Sequence, residues 1–280
     1  MGGPEGSQNA RGYTPGASRN LWRPAPLKSM VRPEPVKPTI VSNCLVVIPA
    51  FNEAANVATV IADVRASLPA FDVLVVDDGS ADDTAAAAHR AGAKVLRLPV
   101  NSGYGVALQT GYKYAVRQGY QTVAQMDADG QHVARFFPEL LTHIESGTAD
   151  IVIGSRFLDG DGHYQPSLAR KIGMGIFSSM ASRIMKQHVS DPTSGYQVMR
   201  IDVARFFCSD VYPADYPDAD ILILLHRSGF RVAEVGVQMK MPTGKSMHSG
   251  HKSIYYVYKM FLSILVTMLR PAATSTRERV

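Results

Sequence analysis

The sequence predicts an α/β protein with a Rossmann-like, mostly parallel, twisted sheet flanked by helices, and three observations predict it. Apolar runs of strand length recur along the chain, a stretch with helical spacing follows each, and polar residues gather where each run stops. The runs are continuous in Val, Ile and Leu rather than alternating, as strands covered on both faces require. A hydrophobic content of 46% over 280 residues supplies one large core.

The elements follow in order. CLVVIPA (44–50) reads as the first strand, FDVLVVDD (71–78) as the second, KVLRL (94–98) as the third, TVAQMDA (122–128) as the fourth and DIVIGS (150–155) as the fifth. Ser80 with Asp83 three residues on predicts a capping box for an alanine-rich helix ending near Ala91, with Gly92 closing it. A helical stretch is expected from Arg170 through Met185. Residues 253–269, SIYYVYKMFLSILVTML, form an apolar helix with a narrow stripe of Lys259, Ser263 and Thr267. Spanning a bilayer takes about 20 apolar residues, so this segment is expected to lie at a membrane interface, pack on the domain, or pack across a homo-oligomer. Its tyrosines suit a headgroup zone.

Composition sets the boundaries. Residues 1–38 hold seven prolines and five glycines with little apolar periodicity, the composition of a disordered tail. The expected organisation is this tail, a 39–245 catalytic domain, a 246–270 helix and a 271–280 basic tail. Residues 1–38 carry +4 and 270–280 carry +2 of the net +5, which leaves −1 for the rest. A nucleic-acid surface needs its basic patch on the folded domain, so no nucleic-acid partner is expected. Basic tails can associate with anionic lipid. Cys44 and Cys208 read as reduced thiols, and the amino terminus shows no secretory signal, so a cytoplasmic protein at the inner membrane face is expected.

In parallel sheets ligands bind beyond the carboxyl ends of the strands. Those ends carry Pro49, Asn52 and Glu53; Asp77 and Asp78; Asn101, Gly103 and Gly105; Asp127, Asp129 and Gln131; and Arg156. Each alone is an ordinary turn residue, and their joint occurrence on one edge makes a site. In QMDADGQH (125–132), two carboxylates bracket a small residue and Gln131 adds a neutral oxygen. Such hard ligands suit Mg²⁺ or Mn²⁺ bridging to phosphate. His132 reads as a loop residue.

The ordered set VVIPAFNEAANV, VLVVDDGSADDT, NSGYGVALQTGY, QMDADGQH and IGSRF resembles family 2 glycosyltransferases of the GT-A fold, over about residues 43–240. DADGQ is similar to the polyprenyl-phosphate, dolichyl-phosphate-mannose-synthase-like subgroup. The resemblance implies Asp127, Asp129 and Gln131 as metal ligands, with Asp129 catalytic. It implies Pro49, Asn52, Glu53, Asp77, Asp78, Asn101, Gly105 and Asp127 around a nucleotide-sugar donor of the GDP-mannose or UDP-glucose type. Tyr104 stands where many relatives have a basic residue. Arg156 and Arg170 are implied to grip a polyprenyl-phosphate acceptor, a task suited to guanidinium forks. Asp191 in DPTSGYQVM is implied at the reaction centre, with Asp218 and Asp220 as further acids.

An anionic phosphate acceptor needs no base, whereas a sugar hydroxyl acceptor, the alternative, does. The resemblance implies an inverting transfer. Two other readings compete: a haloacid-dehalogenase-type phosphatase on Asp127 and Asp129, and a phospho-receiver on Asp77 and Asp78. The first lacks the hydroxyl residue expected at Gln131, and the second needs its acids after the first strand. TGKS (243–246) lacks the P-loop glycine, and GYG (103–105) lacks dinucleotide spacing.

Overall fold

The seven strands form one sheet in the order β3-β2-β1-β4-β6-β5-β7. They are β1 (Cys44–Ala50), β2 (Asp72–Asp77), β3 (Lys94–Arg97), β4 (Thr122–Gln125), β5 (Ile151–Ser155), β6 (Gln197–Arg200) and β7 (Val232–Gly236). The structure is a computed structural model that describes residues 1–2, 43–158, 168–210, 212–214, 217–240 and 251–269, without the side chains of 168–172 and 251–257. The tails expected at 1–38, past the first two residues, and at 271–280 lie outside the described residues. So do TGKS and the boundary expected at 245–246. Everything below concerns the unit Ile40–Val280.

The five strands expected from the sequence are present, and all pairings but those of β6 are parallel. β6 runs antiparallel between β4 and β5, with Gln125 opposite Gln197 and Ile151 opposite Met199. The chain winds from β1 outward through β2 to β3, then returns to lay β4 on the other side of β1. That reversal opens a crevice at the carboxyl ends of β1 and β4.

Alternation of side chains puts one half of each strand on each face. Leu45, Val47, Leu74, Val76, Val123, Ile151 and Ile153 face one core. This core is closed by α3 (Tyr104–Gln118), α5 (Leu168–Met185), α6 (Ile201–Phe207), α7 (Ala219–Arg227) and α8 (His251–Leu269). Val46, Ile48, Val73, Val75, Ala124, Val152 and Val198 face the other, under α1 (Val57–Ser67), α2 (Thr84–Arg90) and α4 (Phe137–Glu145).

The capping box at Ser80 does not form. Ser80 Oγ accepts the Asn52 N–H at 2.9 Å and the α2 entry is held by Asp82, whose Oδ1 accepts the Thr84 N–H at 3.0 Å. A cross-loop bond outcompetes the local cap.

Ser263 and Thr267 of the α8 polar stripe turn inward rather than to water, while Lys259 is half-buried. Thr267 is buried beside Met260 and Ile264, Ser263 donates to the buried Asp220 of α7, and Arg227 donates to the Thr267 carbonyl. Tyr258, Phe261, Leu262, Leu265, Val266, Met268 and Leu269 face outward. No described helix is long and apolar enough to cross a membrane.

Helix α3 lies flush on β1 because Gly111 has no side chain: a Cβ there would overlap Val47 Cγ1. Helix propensity favours Gly111→Ala by about 1 kcal/mol. Overpacking against a β-branched core residue costs about 1–3 kcal/mol. The clash wins, so the variant is expected to lower the urea midpoint without changing the slope.

Candidate active site

At the carboxyl edge the first two loops are stitched together. Asn52, in the left-handed region at φ 57°, accepts the Ala81 N–H on Oδ1 at 2.9 Å. Glu53 N donates to Thr84 Oγ1 at 2.8 Å and Ala54 N to Asp82 Oδ2 at 3.1 Å. Pro49 is buried within β1. Asp77 is fully buried, accepting the Ser80 N–H at 3.0 Å with Arg97 Nε 3.2 Å from its other oxygen. Asp78 accepts the N–H groups of Ser102 and Gly103 at 2.7 and 2.9 Å. These acids shape the edge: Asp78 directs its oxygens at the protein's own backbone. A phospho-receiver acid would need them exposed.

Gly105 also serves the fold. A Cβ there would overlap the carbonyl of Pro213, and Val106 N donates to Ala214 O at 3.1 Å. Asn101 is exposed at the rim.

Asp127 and Asp129 leave β4 as expected, and each is held by neutral groups. Gly130 at φ 76° turns the chain, so Gln131 N–H reaches Asp129 Oδ1 at 2.9 Å while its amide nitrogen donates to Oδ2. Gln131 therefore offers Asp129 a donor where the sequence reading had it as an oxygen ligand. His132, read as a loop residue, is buried. Its Nδ1 accepts the Asp127 N–H at 3.0 Å, which leaves any proton of a neutral ring on Nε2, 3.8 Å from Asp127 Oδ2. Tyr104 donates its hydroxyl to Asp127 Oδ1 at 2.7 Å. The position lacks a basic side chain and turns to the acid instead. Burial, then the neighbouring Asp127 charge, push the Tyr104 phenol well above its ordinary range, so it stays a donor.

Burial, and then repulsion from Asp127, raise the Asp129 carboxyl. Glu53 is raised by burial and by the charges of Asp129, Asp82 and Asp127, against a 2.8 Å bond from Asn56. Asp127 and Asp129 leave the end of β4 together, Glu53 lies within reach of their charge, and Gly195 leaves room beside Asp127 because it lacks a Cβ. Hard oxygens crowded this way fit a divalent cation. Among the described residues no three His, Cys, Asp or Glu side chains are grouped so as to hold a metal ion, so Asp127 and Asp129 are the protein's candidate pair. A cation would complete its shell with water or phosphate oxygens, as Mg²⁺ commonly does.

Arg156 and Asp191 find each other. Arg156 Nε and Nη2 meet Asp191 Oδ2 and Oδ1 at 2.6 and 2.7 Å, and its backbone N–H reaches Oδ2 at 3.1 Å. Asp191 is fully buried, and Glu234 of β7 accepts the N–H groups of Ser190 and Asp191 at 2.7 and 2.9 Å. Both Asp191 oxygens thus serve a guanidinium, which removes it as a base. Asp220 is likewise buried and bonded to Ser263, and its carboxyl is raised by burial. Arg170 lies in α5 with its side chain outside the described residues. Gln125, Gly195 and Glu234 are the site-forming residues that sequence reasoning missed. The one signal for Gln125 was a carboxamide inside an apolar strand.

Residues 45–207 match the family model described as Glycosyl transferase family 2. The chain is 33% identical over 215 residues to an undecaprenyl-phosphate mannosyltransferase of Micrococcus luteus, covering 74% of this chain and 87% of that protein. It is 33% identical over 178 residues to a polyprenol monophosphomannose synthase of Mycolicibacterium smegmatis, covering 61% and 66%. The crystal structure of glucosyl-3-phosphoglycerate synthase from Mycobacterium tuberculosis, in complex with Mn²⁺, UDP and phosphoglyceric acid, matches with a TM-score of 0.60. The identity is 19%, over 81% of this chain and 79% of that one, a likeness of fold.

Breaking a buried ion pair strands the remaining charge. Asp191→Ala, which leaves Arg156 at 11% side-chain exposure without its fork partner, is expected to cost about 3–5 kcal/mol in denaturant unfolding. The double variant Arg156→Met/Asp191→Leu is expected to recover most of that loss.

Proposed function

The chain belongs to glycosyl transferase family 2, and from that premise we propose a metal-dependent, inverting transfer of a hexosyl group from a nucleotide-sugar donor to a polyprenyl phosphate. The donor is of the GDP-mannose or UDP-glucose type. One observation carries the reading: Asp127 and Asp129 both follow the end of β4 at the switch point of the sheet, where Tyr104 and His132 hold the first and Gln131 the second. Tyr104 and Gln131 are neutral donors, and the His132 nitrogen facing the Asp127 N–H is an acceptor.

Asp127 and Asp129 would hold Mg²⁺ or Mn²⁺, which when bound supplies stabilisation of charge on the departing nucleoside diphosphate. The residues themselves do the rest. Asn52, Asp77, Asp78 and Asp82 fix the two loops that border the nucleotide, with Glu53 and Asn101 at its edge. The Arg156–Asp191–Glu234 chain holds the loop before β6 against the crevice. Arg170 is the guanidinium proposed to meet the acceptor phosphate. A phosphate nucleophile is already anionic, so positioning suffices and no base is needed. A sugar hydroxyl acceptor is the second reading on one observation: Pro213 and Ala214, a few residues before Asp218, pack on the first turn of α3 beside Tyr104.

The lipid half of the proposal draws on α8, whose outward face is apolar and whose Ser263 and Thr267 turn inward. An interfacial helix lies in the membrane plane on such a face. The names of the two mannosyl-transferring relatives point to lipid-linked acceptors.

A panel of nucleotide sugars with Mn²⁺ in a thermal-shift assay is expected to single out one donor, by roughly 2.7 kcal/mol at one hundred times its Kd. Asp129→Ala is expected to abolish both that shift and transfer, and full activity of this variant under chelation would sink the metal reading. Asp218→Asn is expected to leave transfer to a polyprenyl phosphate intact, since an anionic nucleophile needs no base; wild-type transfer to a sugar hydroxyl and not to a polyprenyl phosphate would favour the second reading. Leu262→Asp/Leu265→Asp is expected to release the protein from sedimenting vesicles. Unchanged sedimentation would reject α8 as the membrane face.

A further inference from the structure

Tyr104 sits at the first turn of α3, yet its hydroxyl ends a line of polar groups that runs out of the core. Asp127 Oδ1 receives the Tyr104 hydrogen at 2.7 Å, and Gln125 Nε2 donates to the same hydroxyl at 3.3 Å. Gln125 is buried at the end of β4, and its Oε1 accepts the hydroxyl of the fully buried Tyr112. The ring of Tyr112 in turn packs edge to face against that of Tyr212, at 5.7 Å between centroids.

The direction of every bond in this line follows from its last member. An ionised carboxylate only accepts, and a phenol has one hydrogen. That hydrogen goes to Asp127, so the Tyr104 oxygen must accept, and Gln125 must turn its amide nitrogen to it. The Gln125 oxygen then faces Tyr112, which must donate. No member can reverse without leaving a buried donor or acceptor unmatched, at about 1–3 kcal/mol.

Gly195 closes the line from the other side. A Cβ there would stand 2.9 Å from the Tyr104 hydroxyl and 3.3 Å from both Asp127 oxygens. The contact therefore depends on a glycine brought in by the antiparallel entry to β6.

We propose that Tyr104, oriented by the Gln125–Tyr112 relay, is a positioning residue that aims the Asp127 carboxylate at a divalent cation while leaving its charge whole. A neutral donor fixes one oxygen, and the carboxylate keeps its full attraction for the metal. This rests on the metal reading above.

The test is direct Mn²⁺ binding to the full chain, read as free Mn²⁺ by electron paramagnetic resonance, without a sugar donor and below the thermal midpoint. Wild type, Tyr104→Phe, Gly195→Ala and Asp127→Ala are compared. Asp127→Ala is expected to lose binding. Tyr104→Phe keeps the ring and is expected to weaken Mn²⁺ about tenfold, as loss of a group supporting a metal ligand does. A merely structural role would lower the midpoint and leave the affinity of the folded protein unchanged. Equal affinity in wild type and Tyr104→Phe overturns the proposal alone. Absence of Mn²⁺ binding by wild type overturns the metal reading and the proposal with it. Should Tyr104→Phe fail to fold, Gly195→Ala decides: weaker binding supports the relay and unchanged binding overturns it.

Discussion

The site depends on the Asp78 carboxylate. It is buried at 4% exposure, its own N–H is held by the Ala50 carbonyl, and its two oxygens take the N–H groups of Ser102 and Gly103. Hydrogen bonds to a charged acceptor contribute about 1.5–3 kcal/mol each, enough to dictate where α3 begins. Gly103, at φ 106°, turns the chain there. Helix α3 then descends on Val47 through Gly111, and its first residue, Tyr104, reaches Asp127. An acid that looks like a nucleotide ligand in the sequence thus acts as the pin that registers three loops and a helix on the strand ends.

The fold was legible where local pattern decides it. The central strands are continuous apolar runs flanked by helical spacing, and the two cores divide by the alternation that such runs must have. β6 and β7 were not legible as strands. QVMR is four residues long with polar ends, and nothing local says that it enters the sheet reversed; that is decided by Gln197 meeting Gln125 across 72 residues of chain. The capping box failed for a related reason. Ser80 had a local partner on paper, and folding supplied a better one in Asn52, 28 residues away.

The site was legible in its positions and only partly in its roles. Strand ends identified the edge, and residue type identified the acids, but sequence cannot sort acids by what they touch. Asp78, Asp191 and Asp220 are buried and matched by donors of the protein itself, and buried Asp77 takes the Ser80 N–H on one oxygen and faces Arg97 with the other. Asp129 and Glu53 are raised instead, by burial and by the charge of their acidic neighbours, Asp127 among them. Arg156 looked like a phosphate ligand because a guanidinium after a strand suits that task. Its partner lies 35 residues on and is fully buried, so the fork was already matched.

This sorting sharpens the charge balance of the proposed reaction. A nucleoside diphosphate and a lipid phosphate are both anions, and they would approach a crevice that holds Glu53, Asp127 and Asp129. At an effective dielectric of about 20, two unit charges 4 Å apart interact by about 4 kcal/mol, so such a crevice would repel both substrates. Arg156 offsets little of this, since Asp191 already balances its charge. The neutral Tyr104 and Gln131 offset none. On the proposed reading two sources would supply counter-charge: a divalent cation on the strand-end acids, and Arg170 on the acceptor side. On this reading the protein's choice of uncharged supports for Asp127 and Asp129 and the requirement for a cation are one design, because a lysine in either place would answer part of the charge that the cation is there to answer.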